Sequence, residues 1–304
     1  MNFGRPAISI FILIFKRQYS FIFILLFLSA QLTLRSHAEE SERKPLRLYA
    51  FECGMIQMGP FLALLSTKFS DLYNKDNMRK VPTTCFYIQH PKGSLLWGTG
   101  LDDRYIKLEG GKKFYGGLSI HIVKKTLQTK LKEIGVSPLN ITYVAVSHLH
   151  QDHTGNLHIF KKSKILLQKE EVEAGFGPFP SFYFFEFDHF KNIKHQIQKL
   201  DGDHDVFGDG TVTIIKATGH TPGHQVLLVR LPNKGSIILG GDLYHLKENE
   251  RKKISPFLIT YNKKDLQKSF SKIERIQKKE KAFLWIQHEL SHWEKALKPP
   301  LYYD

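Results

Sequence analysis

His148, His150, Asp152 and His153 fall within six consecutive positions, directly after the apolar run from Ile141 to Val146. No other feature of the chain constrains its fold so strongly. If the run is a strand, the side chains of His148 and His150 leave it on the same side, because strand side chains alternate with period two. Asp152 and His153 then lie beyond the strand end, in the turn leading to Gly155, where the chain can bend both toward one point. Imidazole and carboxylate together suit zinc and similar divalent cations. A surface histidine cluster is the simpler account of an isolated H-x-H pair. Here four donors coincide with a preceding strand and with further donors downstream, which favours a metal site.

Each downstream donor also follows a predicted strand. Gly219-His220-Thr221-Pro222-Gly223-His224 comes after a strand over 211–216, Gly240-Gly241-Asp242 after one over 236–239, and His288 after one over 283–286. A metal centre needs ligands held to a few tenths of an ångström by rigid elements, and several strand ends can supply that. Taken singly, His220, His224 and His288 could each be structural histidines. Taken with 148–153, they form one candidate site.

The rest of the chain reads as a single α/β domain. Further strands are expected over 46–51, 165–168 and 225–230, and a hairpin over 83–90 and 94–97 turns at Pro91-Lys92-Gly93. Val123, Leu127, Leu131 and Ile134 recur at helical spacing and stop at Gly135. A helix over 264–278 places Leu266, Phe270, Ile273 and Ile276 on one face. Strands and helices thus alternate with no internal repeat and no linker. Two segments break the pattern. Residues 51–80 read as loop-rich despite Met55, Met58, Phe61, Leu62, Leu64 and Leu65, and 175–190 carry eight aromatic residues among Gly and Pro. The aromatic segment reads as core filling, as an apolar wall over a pocket, or as a homodimer contact.

The amino terminus differs from the remainder. Lys16 and Arg17 precede an apolar run from Tyr19 to Ala30, and Ser36-His37-Ala38 offers small residues where a signal peptidase reads. Residues 1–38 therefore resemble a secretory signal, leaving 39–304 as one domain in the periplasm or outside the cell. An uncleaved anchor is the alternative, but the charged break at 16–17 leaves neither half at the ~20 apolar residues a span needs.

The chain carries a net charge of +15. The four bases before residue 39 are accompanied by no acid, so 40 bases against 29 acids, a net +11, remain. The lysines are scattered without regular aromatic interleaving, so a basic surface suited to an anionic envelope is expected rather than a nucleic-acid partner. Cys53 and Cys85 are the only cysteines. They are not spaced as a metal or redox pair, and they can bridge only if their strands bring them face to face.

H-x-H-x-D-H, then G-H-T-P-G-H, then G-D and a late histidine resembles the metallo-β-lactamase superfamily. Phe51-Glu52-Cys53-Gly54, the run Cys85 to Gly93 leading into Leu95-Leu96-Trp97, and His220 to Gln225 look most like its N-acyl homoserine lactonase branch. The resemblance implies an αββα sandwich with two divalent metal ions, expected to be zinc. By position, His148, His150 and His220 would hold one ion, Asp152, His153 and His288 the other, and Asp242 would bridge, with His224 in a structural role. The implied reaction is ring opening of a small acyl lactone by a bridging hydroxide, with Asp152 shuttling the proton to the leaving oxygen.

The chain departs from that family pattern at two places. Gly98 stands where an aspartate normally supports the ligands. The tyrosine usual three residues after the bridging aspartate is replaced by His245, with Tyr244 one position earlier; His245 is the expected carbonyl donor and Tyr244 the second choice. The alternatives are a β-lactamase, a hydrolase of another lactone or ester, or a non-catalytic metal- or ligand-binding protein of the same fold.

Overall fold

The computed structural model describes residues 45–59, 79–254 and 259–304. The expectations for 1–38, and for Phe61, Leu62, Leu64 and Leu65, lie outside these residues. From Pro45 to Asp304 the chain belongs to one compact unit. Among the described residues no helix is long and apolar enough to cross a membrane.

Two mixed sheets make the centre of the molecule. The first has eight strands in the order β4-β5-β1-β2-β3-β6-β7-β8. These are β1 (Arg47–Met58), β2 (Arg79–His90), β3 (Gly93–Trp97), β4 (Lys112–Phe114), β5 (Ser119–Ile122), β6 (Tyr143–Ala145), β7 (Lys164–Gln168) and β8 (Ile197–Leu200). The second has five in the order β13-β12-β11-β10-β9, namely β9 (His204–Asp205), β10 (Val212–Lys216), β11 (Gln225–Leu231), β12 (Gly235–Leu239) and β13 (Phe283–Trp285). β6 runs parallel to both β3 and β7, and β13 parallel to β12.

Alternation along the strands produces three apolar layers. Leu48, Phe86, Leu95 and Trp97 on the first sheet meet Ile214, Leu227, Val229 and Leu239 on the second. The outer face of the first sheet packs Leu96, Val144, Ile165 and Leu167 against Leu127 and Leu131 of helix α1 (Leu127–Glu133). On the far side, Ile215, Leu228 and Ile238 pack against Leu266, Phe270 and Ile273 of the long helix Lys263–Glu280. Burying each such side chain stabilises the fold by roughly 1.5–3 kcal/mol before the entropy of ordering is subtracted. The expected αββα sandwich is the observed architecture.

The hairpin of β2 and β3 and the helix ending before Gly135 lie where the sequence places them. Met55 and Met58 do not lie in a loop, because β1 continues to Met58 and pairs with both β2 and β5. Cys53 and Cys85 lie on the neighbouring strands β1 and β2, where Phe51 is the residue opposite Cys85, and are 5.8 Å apart at Cα and joined by a disulfide. Closing a loop of 32 residues in this way contributes roughly 3–4 kcal/mol in the chain-entropy view. The aromatic segment divides: Phe185 and Phe190 enter the core, while Phe179, Phe182, Phe184 and Phe187 are exposed.

Candidate metal centre

The two sheets present their strand ends at one edge, and each contributes donors there. His148 to His153 follow β6 of the first sheet, whereas His220 lies between β10 and β11, Asp242 follows β12, and His288 follows β13. Hydrogen bonds fix the seam between the sheets. Gln225 N donates to Ser147 O (2.9 Å), and its side-chain amide donates to Val146 O (2.9 Å) and Leu166 O (3.1 Å). Asp152 and His153 lie not in an open turn but in a single helical turn, α2 (Gln151–Thr154), in which His153 N donates to His150 O at 3.1 Å.

All seven predicted ligands converge in two groups. His148 Nε2, His150 Nδ1 and His220 Nε2 lie 2.8–3.1 Å from one another. Asp242 Oδ2 faces this group, 3.5 Å from His220 Nε2 and 3.9 Å from His148 Nε2. Asp242 Oδ1 faces the other group, 3.1 Å from His153 Nε2 and 3.2 Å from His288 Nε2. Asp152 Oδ2 completes that group at 3.5 Å from His153 and 3.4 Å from His288. One carboxylate therefore stands between two clusters of donors.

Divalent metal ions suit this arrangement. Donors about 2.0–2.1 Å from a tetrahedral zinc stand about 3.3 Å apart, close to the spacings seen. Among the described residues, His153 Nε2 and Asp242 Oδ1 face the clusters, are buried and have no hydrogen-bond partner, which in a protein interior calls for a missing partner. The imidazoles are also in the ligand form. Burial holds His148 and His220 well below the usual histidine range and His150 at about 4, so all three are neutral at neutral pH.

His288 is the exception: burial lowers it, but Asp242 and Asp152 outweigh that and raise it to about 9. Burial pushes both carboxylates up, yet the neighbouring histidines hold Asp152 below its ordinary value and Asp242 well below it.

A surrounding layer of hydrogen bonds orients the rings. Ser147 Oγ lies 2.9 Å from His148 Nδ1 and 3.1 Å from His153 Nδ1, so one hydroxyl serves a ligand of each group. His150 Nε2 donates to Tyr183 O (2.9 Å), leaving Nδ1 toward the site, and His288 Nδ1 donates to Pro82 O (2.9 Å). His224 is structural: Nδ1 donates to Ala217 O (3.0 Å), and Nε2 accepts from Asp242 N (3.1 Å). Gly241, at φ 51°, permits this approach, since a Cβ there would stand 2.5 Å from Ser147 Cβ.

Sequence reasoning missed Ser147, Tyr183 and Pro82. Two of them act through backbone carbonyls, which leave no side-chain signature. At Gly98 the backbone N donates to Ala145 O, and Thr99 reaches His153 O instead through N and Oγ1, both at 2.8 Å.

The two candidate donors part company. His245 Nε2 lies 3.2 Å from Asp242 Oδ2, and neither ring nitrogen makes a hydrogen bond. Tyr244 is turned away: its ring stacks on Phe270 at 4.3 Å and its hydroxyl donates to Glu274 at 3.2 Å. Tyr244 is thus a core residue, which corrects the expectation that it could serve as the second-choice donor. Both residues lie in the turn and bend between β12 and the helix Lys247–Lys252, and its backbone sends His245 toward Asp242 and Tyr244 toward Phe270.

A cavity of about 380 Å³ adjoins the first group, lined by His150, His220, Phe182, Tyr183, Phe184 and Tyr261. A larger one, about 880 Å³, opens beside Trp285, Tyr302 and Tyr303 and touches none of the ligands. Donor chemistry, not volume, marks the site.

A sandwich of this kind with two donor clusters sharing a carboxylate defines a class of metal-dependent hydrolases. The chain belongs to the metallo-β-lactamase superfamily, whose model matches residues 78–284. N-acyl homoserine lactonase AttM of Rhizobium radiobacter is 36% identical over 236 residues, 74% of this chain and 88% of that protein. AttM of Azorhizobium caulinodans is 28% identical over the same shares. Among solved structures, an N-acyl homoserine lactone hydrolase with N-hexanoyl-L-homoserine at its catalytic metal centre superposes with a TM-score of 0.72 at 22% identity, covering 85% of this chain and all of that one. AidC, a dizinc quorum-quenching lactonase, superposes at 0.61 and 18% identity, covering 85% of this chain and 94% of that one.

Proposed function

We propose that this protein is a metal-dependent hydrolase that opens the lactone ring of N-acyl homoserine lactones, and so quenches quorum signals. The carrying observation is the pair of donor clusters facing opposite oxygens of Asp242 beside an aromatic cavity. Relatives that are N-acyl homoserine lactonases along most of their length support the same reading. His148, His150, His220 and Asp242 would hold one ion, and Asp152, His153, His288 and Asp242 the other; the mixed nitrogen and oxygen donors suit zinc. Divalent ions held there would activate water near neutral pH and act as Lewis acids toward a carbonyl.

The chain's own groups then divide the work. His245, whose Nε2 faces Asp242 Oδ2 at 3.2 Å and whose ring nitrogens have no hydrogen-bond partner among the described residues, would donate a hydrogen bond to the carbonyl oxygen as negative charge develops on it. The Asp152 side chain retains 13% of its exposure against 5% for Asp242, so Asp152 is the carboxylate able to pass a proton to the leaving ring oxygen. Phe182, Tyr183, Phe184 and Tyr261 offer the acyl chain an apolar wall, each buried methylene contributing up to ~0.8 kcal/mol. The exposed phenylalanines of the same segment would also serve a homodimer, a role that light scattering of Phe179→Ser tests. Action in the periplasm or outside the cell is supported by the 53–85 disulfide and the signal-like residues 1–38.

Acid release from hexanoyl- and decanoyl-homoserine lactone, measured beside a β-lactam with zinc supplied, tests the reading. Lactone opening without β-lactam hydrolysis is expected. The converse would move the protein to the β-lactamases, and stoichiometric lactone binding without turnover would make it a binding protein.

A further inference from the structure

Glu171 is fully buried although it is a carboxylate with no lysine or arginine bonded to it among the described residues, and nothing in the chemistry above uses it. It lies in the first turn of helix α3 (Lys169–Gly175), which leaves the first sheet directly after β7. Its two oxygens are satisfied by two different ligand loops. Oε1 accepts from Leu149 N at 2.8 Å, between His148 and His150. Oε2 accepts from Thr221 Oγ1 and from Gly223 N, both at 2.8 Å, in the loop that carries His220. The first loop belongs to the eight-stranded sheet and the second to the five-stranded sheet.

The helix is seated hard against both loops. A Cβ on Gly223 would stand 2.3 Å from Glu171 N, and one on Gly175 would stand 2.4 Å from Leu149 Cδ1. Only glycine at these two positions lets the helix come so close. Burying an unpaired carboxylate is unfavourable unless its acceptors are filled, and here three donors converge on it. A site that needed only packing would be filled better by an apolar side chain of similar volume.

We propose that Glu171 is a positioning residue for the three-histidine half of the metal centre, a clamp that fixes the loop of His148 and His150 relative to the loop of His220. It touches no ligand atom. It sets the distance between two loops whose imidazoles must meet at one ion, a task that falls to neither sheet alone. The Asp152, His153 and His288 half depends on it less directly, because no residue of that half bonds to Glu171 and each has a further hold through α2, Ser147 or Pro82. The inference rests on the metal-centre part of the proposed function and not on the choice of substrate.

Glu171→Gln in the full chain provides the test. Whichever way the amide is turned, its NH2 group must face Leu149 N or Gly223 N, so one of the two loops is released. In the metal-free protein, amide exchange at Leu149 or Gly223 should rise well above wild type while the core strands stay protected. Zinc titration should show two binding events in wild type, of which His150→Ala removes one. Glu171→Gln should weaken that same event by about 10–100-fold and leave the other in place. Should Glu171→Gln not fold, Thr221→Ala removes a single bond and should weaken the same event by less than about tenfold. Unchanged exchange together with unchanged zinc events in a folded Glu171→Gln, or equal weakening of both events, would overturn the clamp. A wild type that binds no zinc would instead overturn the metal centre itself.

Discussion

His148, His150 and His220 meet as neutral imidazoles held between two loops, whereas the other half brings the charged Asp152 and His288 together with a route to solvent. The first half is preorganised by burial and costs no proton to fill. In the second, the carboxylates that would attract a cation have already attracted a proton to His288. Under the proposed function the contrast would suit two ions to different tasks, one held by neutral imidazoles and one beside Asp152, the carboxylate proposed to move the proton. Asp242 belongs to both halves, one oxygen toward each.

Removing the shared residue should have the largest effect. Asp242→Ala is expected to lower lactone opening by more than the roughly 100-fold typical of an outer-layer change, and to disturb both zinc events in a titration. Loss of only one event would show that Asp242 belongs to one half. His245→Ala should come next, slowing turnover by about 10²–10³-fold, as for removal of a single oxyanion donor, with zinc content unchanged. Zinc loss in that variant would make His245 a ligand instead.

A pH series sharpens the contrast further. His288 is protonated below about 9 in the metal-free protein, so an ion entering its half must displace that proton. Affinity there should therefore fall about tenfold for each pH unit below about 9, while the three-histidine half, already neutral, changes much less. Calorimetry in buffers of different ionisation enthalpy would count the proton, and His288→Ala should abolish its release. Equal pH dependence of the two events would remove the distinction between the halves. The smallest effect belongs to Tyr244→Phe, which loses a hydrogen bond to Glu274 and should cost about 1 kcal/mol of stability with turnover within about twofold of wild type. A large fall in turnover would restore Tyr244 to the site.

The candidate ligands were legible in the sequence because each is a side chain placed just beyond a strand, and strands announce themselves through apolar runs. The hairpin at Pro91 to Gly93 and the helix stopping at Gly135 were legible for similar local reasons. Met55 and Met58 were not, since β1 owes its length to pairing with β2 and β5 on either side. The disulfide was a question of which strand lies beside which, and only the β1–β2 register answers it.

By itself, then, the sequence determined the donor set, the strand that delivers its first cluster and the family to which the whole belongs, because spacing along one strand is a local property. The tertiary structure decided which neighbour of a pair faces the donor clusters, turning His245 in and Tyr244 out. It also supplied the carbonyls of Tyr183 and Pro82, the hydroxyl of Ser147 and the carboxylate of Glu171. Ser147 apart, those partners come from segments distant in the chain from the ligands they meet, and their proximity follows from packing two sheets face to face, which no local pattern records.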